Sequence, residues 1–334
     1  MPGGYVTLDA IDLNEIWYGC IVPAVDGYRR VDLPMITSLA MTWPEQIMKY
    51  GLTAANGFQL LAPGERPTRK FVEVATAYPF VDKYGYGVGS DLDTIQRSTG
   101  REVAMAFNRP MMEDPENVLV RFLERMMIDP GTANVGGGFY NGEFATAERI
   151  TAPPRYGQQI FNANHTHYIA SNTSATLDLD DFTEMKQTIL HHGHRGQLMA
   201  FINSNGAQAL EDLASWNSAT ITRSPISDMV SVDGFGQTFQ LLGITFHVTE
   251  MMPTGYVLMV EGNNAQSERA LIMFEPANIR GLRMHPGPMN DYPLVEAFFD
   301  RWFGVKVWQR GAGVCLYYGT HSGSYVDPTF TTVP

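Results

Sequence analysis

Two periodicities alternate along this chain, and each marks a different kind of element. Near the C-terminus, Phe303, Val305 and Val307 alternate with Gly304, Lys306 and Trp308. This is the period of two that a strand with two distinct faces requires. Arg310-Gly-Ala-Gly interrupts the alternation, and Val314 to Tyr318 resumes as an apolar run. Gly311 and Gly313 permit a bulge or a close backbone approach. A strand this apolar cannot stand alone. The pattern predicts that it adds to a sheet built from earlier sequence, so that the last segment closes the fold.

Helical spacing governs residues 91–128. Ser90 suits an N-cap, Asp93 lies three residues on, and Leu92, Ile95, Thr99, Val103, Ala106 and Phe107 follow at helical intervals. Pro110 and Pro115 are expected to break or kink the run, with Asp114 restarting it as a second N-cap. Val118, Phe122, Leu123, Met126 and Met127 then form an apolar stripe, with the methionines as core filler. A further helix is predicted from Leu179 to Leu190, capped by Asp180 or Asp181. Gln197 to Ile202 reads as a buried strand, and Asn203-Ser-Asn-Gly caps a helix from Ala207 to Trp216. Gln240 to Thr249 and Tyr256 to Glu261 read as strands joined by the turn Met252-Pro-Thr-Gly, and so as a hairpin. Ala270 to Pro276 is one more short strand. Residues 129–158 read as loop, and the polar tail from His321 to Pro334 as loose.

The first part of the chain is punctuated differently. Pro23, Gly27, Pro34, Pro44 and Gly51 restart residues 1–52 again and again, which reads as an extended arm that lies on a neighbour or, equally, as irregular structure covering its own core. Between residues 53 and 90, β-prone runs around Leu60 and from Phe71 to Tyr78 flank a tip carrying Glu65, Arg66, Arg69 and Lys70. That is a long hairpin with charge concentrated at its end. A long two-stranded hairpin is unstable by itself, so the segment reads either as an ordinary solvated hairpin on its own core or as a projection whose tip residues pair with a partner.

Composition sharpens the picture. The chain has 334 residues, of which 44% are hydrophobic and only 17% charged. That length suffices for two or more lobes with real cores. The low charge leaves surface for something to cover, including other copies of the chain. The formal net charge of -12 argues against tight nucleic-acid binding, which needs a basic stripe. Cys20 and Cys315 provide neither a disulfide framework nor a paired metal motif, which fits a reducing compartment. The opening residues lack the pattern of a signal peptide, and no apolar run approaches the ~18 residues of a membrane span.

Candidate chemistry is sparse. His165 and His167 share a face if extended, and His191, His192 and His194 follow as a second group. Imidazoles suit zinc, copper or nickel, but no HExxH pattern accompanies them. The surrounding Asn, Gly and Thr predict surface loops in which these rings hydrogen-bond or meet water. Tyr84-Gly-Tyr-Gly-Val-Gly-Ser lacks the Lys-Ser/Thr of a phosphate loop and the spacing of a dinucleotide fingerprint. No nucleophile elbow is present. Asp180-Asp181 and Glu211-Asp212 read as caps and solvated charge, and Cys315 as a structural thiol. No catalytic, cofactor-binding or metal-binding residue is assigned.

The order of these parts resembles the major capsid proteins of tailed bacteriophages, whose shell-forming architecture is called the Johnson fold. LMAFINSNGAQALEDLASW is similar to the strand, turn and helix that open the family's axial domain. GITFHVTEMMPTGYVLMVE resembles its later hairpin, and FGVKVWQRGAGVCLYY the strand returning to the peripheral domain. The resemblance implies an α+β fold: an N-terminal arm at 1–52, an extended hairpin loop at 53–90 and a peripheral domain with a long spine helix at 91–178. It places an axial α/β domain at 179–280, the return at 281–322 and a tail at 323–334. It implies a structural protein, not an enzyme, without cofactor. Subunits of this family assemble as hexamers and pentamers into an icosahedral virion shell in the bacterial cytoplasm. The shell encloses double-stranded DNA without sequence-specific binding, and makes no membrane contact. A scaffold, a portal and decoration or minor capsid proteins are the implied partners. Some relatives cross-link a loop lysine to an asparagine near the C-terminus. Lys70 is the one lysine at the tip, and no asparagine follows Asn290, so no cross-link is expected. Two rival readings are an encapsulin-like nanocompartment, which shares the fold, and a metal-dependent enzyme using the histidines. A third is a tail or decoration protein.

Overall fold

A computed structural model describes residues 34–44, 48–52, 73–77, 81–91, 100–129, 138–139, 166–171, 177–216, 222–223, 238–262, 269–286, 294–320 and 323–330. The first half contributes α1 (Pro34–Leu39), β1 (Ala40–Trp43), β2 (Met48–Leu52), β3 (Glu73–Ala77), β4 (Asp82–Asp91), α2 (Gly100–Met127) and β5 (Tyr168–Ala170). Next come α3 (Leu179–His191), β6 (Gln197–Ile202), α4 (Ser204–Trp216), β7 (Thr222–Arg223), β8 (Thr238–Leu241), β9 (Ile244–Val248) and β10 (Tyr256–Gly262). The chain ends with β11 (Leu271–Phe274), β12 (Arg283–Pro286), β13 (Leu294–Val307) and β14 (Gly313–Tyr317).

A seven-stranded sheet in the order β5-β14-β10-β6-β9-β8-β7 forms the middle of the molecule. It is covered on both faces, so β10 is buried along its whole length. Alternation sorts the side chains, as the pleat demands. Val257 and Met259 join Phe182, Met185 and Ile189 of α3. Leu258 and Val260 join Phe122, Leu123 and Met126 near the end of α2. α3 is tied down by a capping box, in which Asp178 and Asp181 exchange backbone and side-chain hydrogen bonds. The cap is therefore Asp178, ahead of the expected Asp180 or Asp181. Helix α4 likewise begins at Ser204, earlier than expected, where the Asn203 side-chain oxygen accepts from the Gly206 N–H.

A second sheet runs β1-β11-β13-β12, with β4 also paired to β13. Strand β13 is 14 residues long, and β4 lies antiparallel along Leu294 to Phe303. The interruption at Arg310-Gly-Ala-Gly is not a bulge within one strand. Residues 308–312 carry the chain from the second sheet, where β13 pairs with β11, into the seven-stranded sheet, where β14 pairs with β10. The glycines serve close approach. A Cβ on Gly311 would lie 2.9 Å from the His192 ring, and one on Gly313 would lie 2.1 Å from the Phe139 ring.

Several local expectations give way to tertiary structure. Ser90 does not cap a helix; it pairs with Val295 inside β4, as does the glycine-rich Tyr84–Ser90 stretch as a whole. α2 runs unbroken for 28 residues through Pro110 and Pro115. Both prolines are buried, and packing outweighs the lost backbone bonds. β9 and β10 are not a hairpin, because β6 inserts between them, parallel to β9 and antiparallel to β10. The hairpin partner of β9 is β8, joined through Leu242 and Gly243, both at positive φ. The tail is docked rather than loose. Tyr325 donates to the Met127 carbonyl at 2.7 Å, Asp327 accepts from the Asp129 N–H at 2.8 Å, and the Val326 carbonyl accepts from Tyr256 at 2.8 Å.

Candidate functional site

The expected contact residues Glu65, Arg66, Arg69 and Lys70 lie outside the described residues, as do His165 and Cys20. The stem that leads to that segment is described. β2 and β3 pair antiparallel from Met48↔Ala77 to Leu52↔Glu73. Among the described residues they form a two-stranded sheet that joins neither of the others. Met48–Leu52 thus pairs at the base of this hairpin, while the run around Leu60 lies outside the described residues.

A second exposed feature lies on α2. Met105 is 63% exposed and Met112 is 74% exposed. They are seven residues apart, hence on one side of the helix, with the Arg109–Glu113 pair at 2.6 Å between them. Behind this stretch, a cleft of 330 Å³ opens between β4, α2 and the lead into β12. Tyr84, Tyr86, Pro110, Asn117, Leu282 and Phe299 line it.

The floor of the cleft is ionic. Arg301 donates to Asp114 at 2.5 Å and to Glu275 at 2.8 and 3.0 Å, and all three side chains are buried. Asp114, expected as an N-cap, instead projects from the middle of α2 to neutralise a cation of β13. Next to it, Asp300 takes Arg283 at 2.8 Å, His285 at 3.2 Å and Lys83 at 3.4 Å. Burial pushes the Asp300 carboxyl up, but hydrogen bonds from His285 and Arg283 outweigh it and hold it below the usual carboxylate range. Sequence reasoning missed both clusters. The available signal was the adjacent Asp300-Arg301 pair inside an otherwise apolar strand, since buried charges are paired.

The histidines do not lie in surface loops. His167, His192 and His194 are buried; His191 alone of the described group faces outward. His167 Nδ1 donates to the Gly313 carbonyl at 2.6 Å, and its Nε2 lies 2.9 Å from His192 Nε2. His194 Nδ1 meets Glu261 at 2.6 Å, and the other Glu261 oxygen accepts from the Gly196 N–H. These rings are built into the junction of β14, β10 and the end of α3. Among the described residues, no group of three or more His, Cys, Asp or Glu side chains converges as a metal site would. Cys315 is fully buried, and burial pushes its thiol well up, as for an inert structural thiol. No helix among the described residues is long and apolar enough to cross a membrane.

No family model matches the sequence, and no curated protein matches it. Solved structures match at the level of fold. A structure from Mycobacterium phage Patience aligns with a TM-score of 0.62 at 20% identity, covering 97% of this chain and 92% of that one. The chain has the Johnson shell fold. The same architecture extends to the SrpI encapsulin complex of Synechococcus elongatus, with a TM-score of 0.53, 10% identity and 86% and 88% of the two chains covered. The capsid of a native GTA particle matches with a TM-score of 0.52, 12% identity and 86% and 90% coverage.

Proposed function

We propose that this protein is the major capsid protein of a tailed bacteriophage. In this reading it is structural, not catalytic, and assembles as hexamers and pentamers into an icosahedral shell around double-stranded DNA. The single observation that carries the reading is the β2–β3 ribbon, which among the described residues joins neither sheet. A two-stranded ribbon is marginal by itself in water, and a neighbouring copy is the surface that would complete it. The residues before β1 act as the arm, and the β2–β3 ribbon with the segment it encloses acts as the extended loop, whose tip places Glu65, Arg66, Arg69 and Lys70 on the next subunit; β1 and β4, which the expected bounds 1–52 and 53–90 would include, pair instead within the second sheet. The exposed Met105 and Met112 side of α2 is where that loop would lie. Obligate interfaces bury on the order of 2,000 Å² or more, in keeping with a chain of low charge. The net charge of -12 disfavours tight DNA binding, so the contents stay packageable. A scaffold, a portal and decoration or minor capsid proteins are the remaining partners, and the virion capsid is the site of action.

Electron microscopy of the expressed protein tests this directly, with closed shells expected. A compact single molecule that persists at high concentration would overturn it. The match to an encapsulin complex supports a second reading, a nanocompartment that holds protein cargo. Nucleic-acid content of purified particles separates the two. Reversing charge with Arg69→Glu and Lys70→Glu is expected to abolish closed shells while subunits remain folded, read by sedimentation and circular dichroism.

A further inference from the structure

The buried histidine pair sits where the chain passes between its two sheets. His167 is tied to β14 twice: its carbonyl accepts from the Cys315 N–H at 2.8 Å and its Nδ1 donates to the Gly313 carbonyl at 2.6 Å. His192, just past the end of α3, packs on Gly311 so closely that no Cβ fits there. On the opposite side, the Glu261 N–H holds the Ala312 carbonyl at 2.8 Å. The crossover is therefore clamped between the imidazole pair and β10.

The geometry fixes the protons. A carbonyl only accepts, so His167 Nδ1 carries hydrogen, and the neutral ring offers its Nε2 as acceptor. The facing His192 Nε2, 2.9 Å away, must then be the donor. A further proton on the far side of His192 leaves this contact intact. A proton on His167 Nε2 does not, because two N–H groups and two like charges would then oppose each other inside the protein. The titratable or charged groups closest along the surrounding elements are His191 at the end of α3, His194 and Arg195 after it, Tyr168 on β5, Glu261 on β10, Arg310 on the crossover, and Cys315 and Tyr317 on β14. Arg310 adds positive charge on the crossover, and Glu261 is engaged by His194 and the Gly196 N–H.

We propose that His167 and His192 form an acid-sensitive latch, closed by one shared proton and forced apart when both rings are cationic, which frees residues 308–313 between the two sheets. The inference concerns the subunit itself and does not depend on what it assembles into.

Hydrogen exchange of the full-length subunit tests it, with rates corrected for the chemical effect of pH. Amides of residues 308–313 are expected to exchange at least about tenfold faster at pH ~5 than at pH ~7.5. His192→Gln keeps an N–H donor but cannot be protonated, and is expected to show less than about a twofold change. His191→Asn is expected to respond like the unaltered chain. An equal acid response in His192→Gln, or none in the unaltered protein, overturns the proposal. Should His192→Gln fail to fold, nitrogen-15 spectra of the unaltered imidazoles decide. Hydrogen on His167 Nδ1 and on His192 Nε2 near neutrality, followed by two separated titration steps, is the expected result. Two independent, ordinary imidazole titrations overturn it, as does stoichiometric zinc binding that needs both rings.

Discussion

The two sheets of this molecule are built by the same closing segment but held together by different physics. The seven-stranded sheet buries apolar side chains on both faces, with α3 on one side and the end of α2 on the other. The second sheet carries charge in its interior: Arg301 of β13 spans Asp114 on α2 and Glu275 after β11. In the first region, loss of a side chain leaves a hole. In the second, loss of one partner leaves a desolvated charge, and the network counts for more in its breaking than in its making.

The largest expected effect follows from that difference. Arg301→Ala takes from buried Asp114 and Glu275 the cation they share, leaving Glu275 the half-exposed Arg280 at 3.6 Å, and is expected to destabilise the unassembled subunit by about 3–5 kcal/mol, read from the midpoint of urea unfolding. The combined change Asp114→Leu, Glu275→Leu and Arg301→Met is expected to regain most of that loss. If the triple variant is as weak as the single one, packing rather than charge matching dominates this sheet.

The apolar sheet has its own titratable group, which provides the next test. His247, stacked on Phe201, has its pKa lowered to about 4 by burial. Its folded-state value lies below the unfolded value of 6.5. The neutral ring therefore supports the fold fully above pH ~6.5, and this support is lost as pH falls through the folded-state value, for a total of about 3 kcal/mol. His247→Phe is expected to flatten the stability curve across that window, whatever constant offset the larger ring adds. An unchanged acid limb would place the titrating group elsewhere.

Smaller effects probe the junction and the rim. Gly313→Ala forces a methyl into the Phe139 ring and is expected to cost about 1–3 kcal/mol. Leu242 is exposed and sits at φ 54 in the β8–β9 turn. Leu242→Asn relieves that strain and is expected to gain up to about 1 kcal/mol, visible as a small rise in Tm.

Legibility followed the range of the interactions. Strand Gln197–Ile202 and the helix after Asn203 were readable because alternation and a side-chain cap are local signals. The β9–β10 hairpin was misread because its turn is genuine, but β6 from earlier in the chain inserts between the strands. Asp114 before Pro115 looks like a helix start; only Arg301, 187 residues away, makes it a mid-helix ion-pair partner. The histidines looked solvated because their neighbours in sequence are polar, while their neighbours in space are β14 and β10. The charged hairpin tip was legible as a charge pattern and lies outside the described residues.

By itself the sequence determined where most strands and helices lie from α3 onward, since period and capping act over a few residues, whereas β1 and β4 were hidden by proline and glycine. It also determined that the final segment must be shared with earlier strands, because so apolar a run needs partners. The tertiary structure alone decided which strands are neighbours, that the crossover passes between two sheets, and which charges and imidazoles meet in the interior. Those choices turn on contacts between residues far apart in the chain, whose free energies no local pattern encodes.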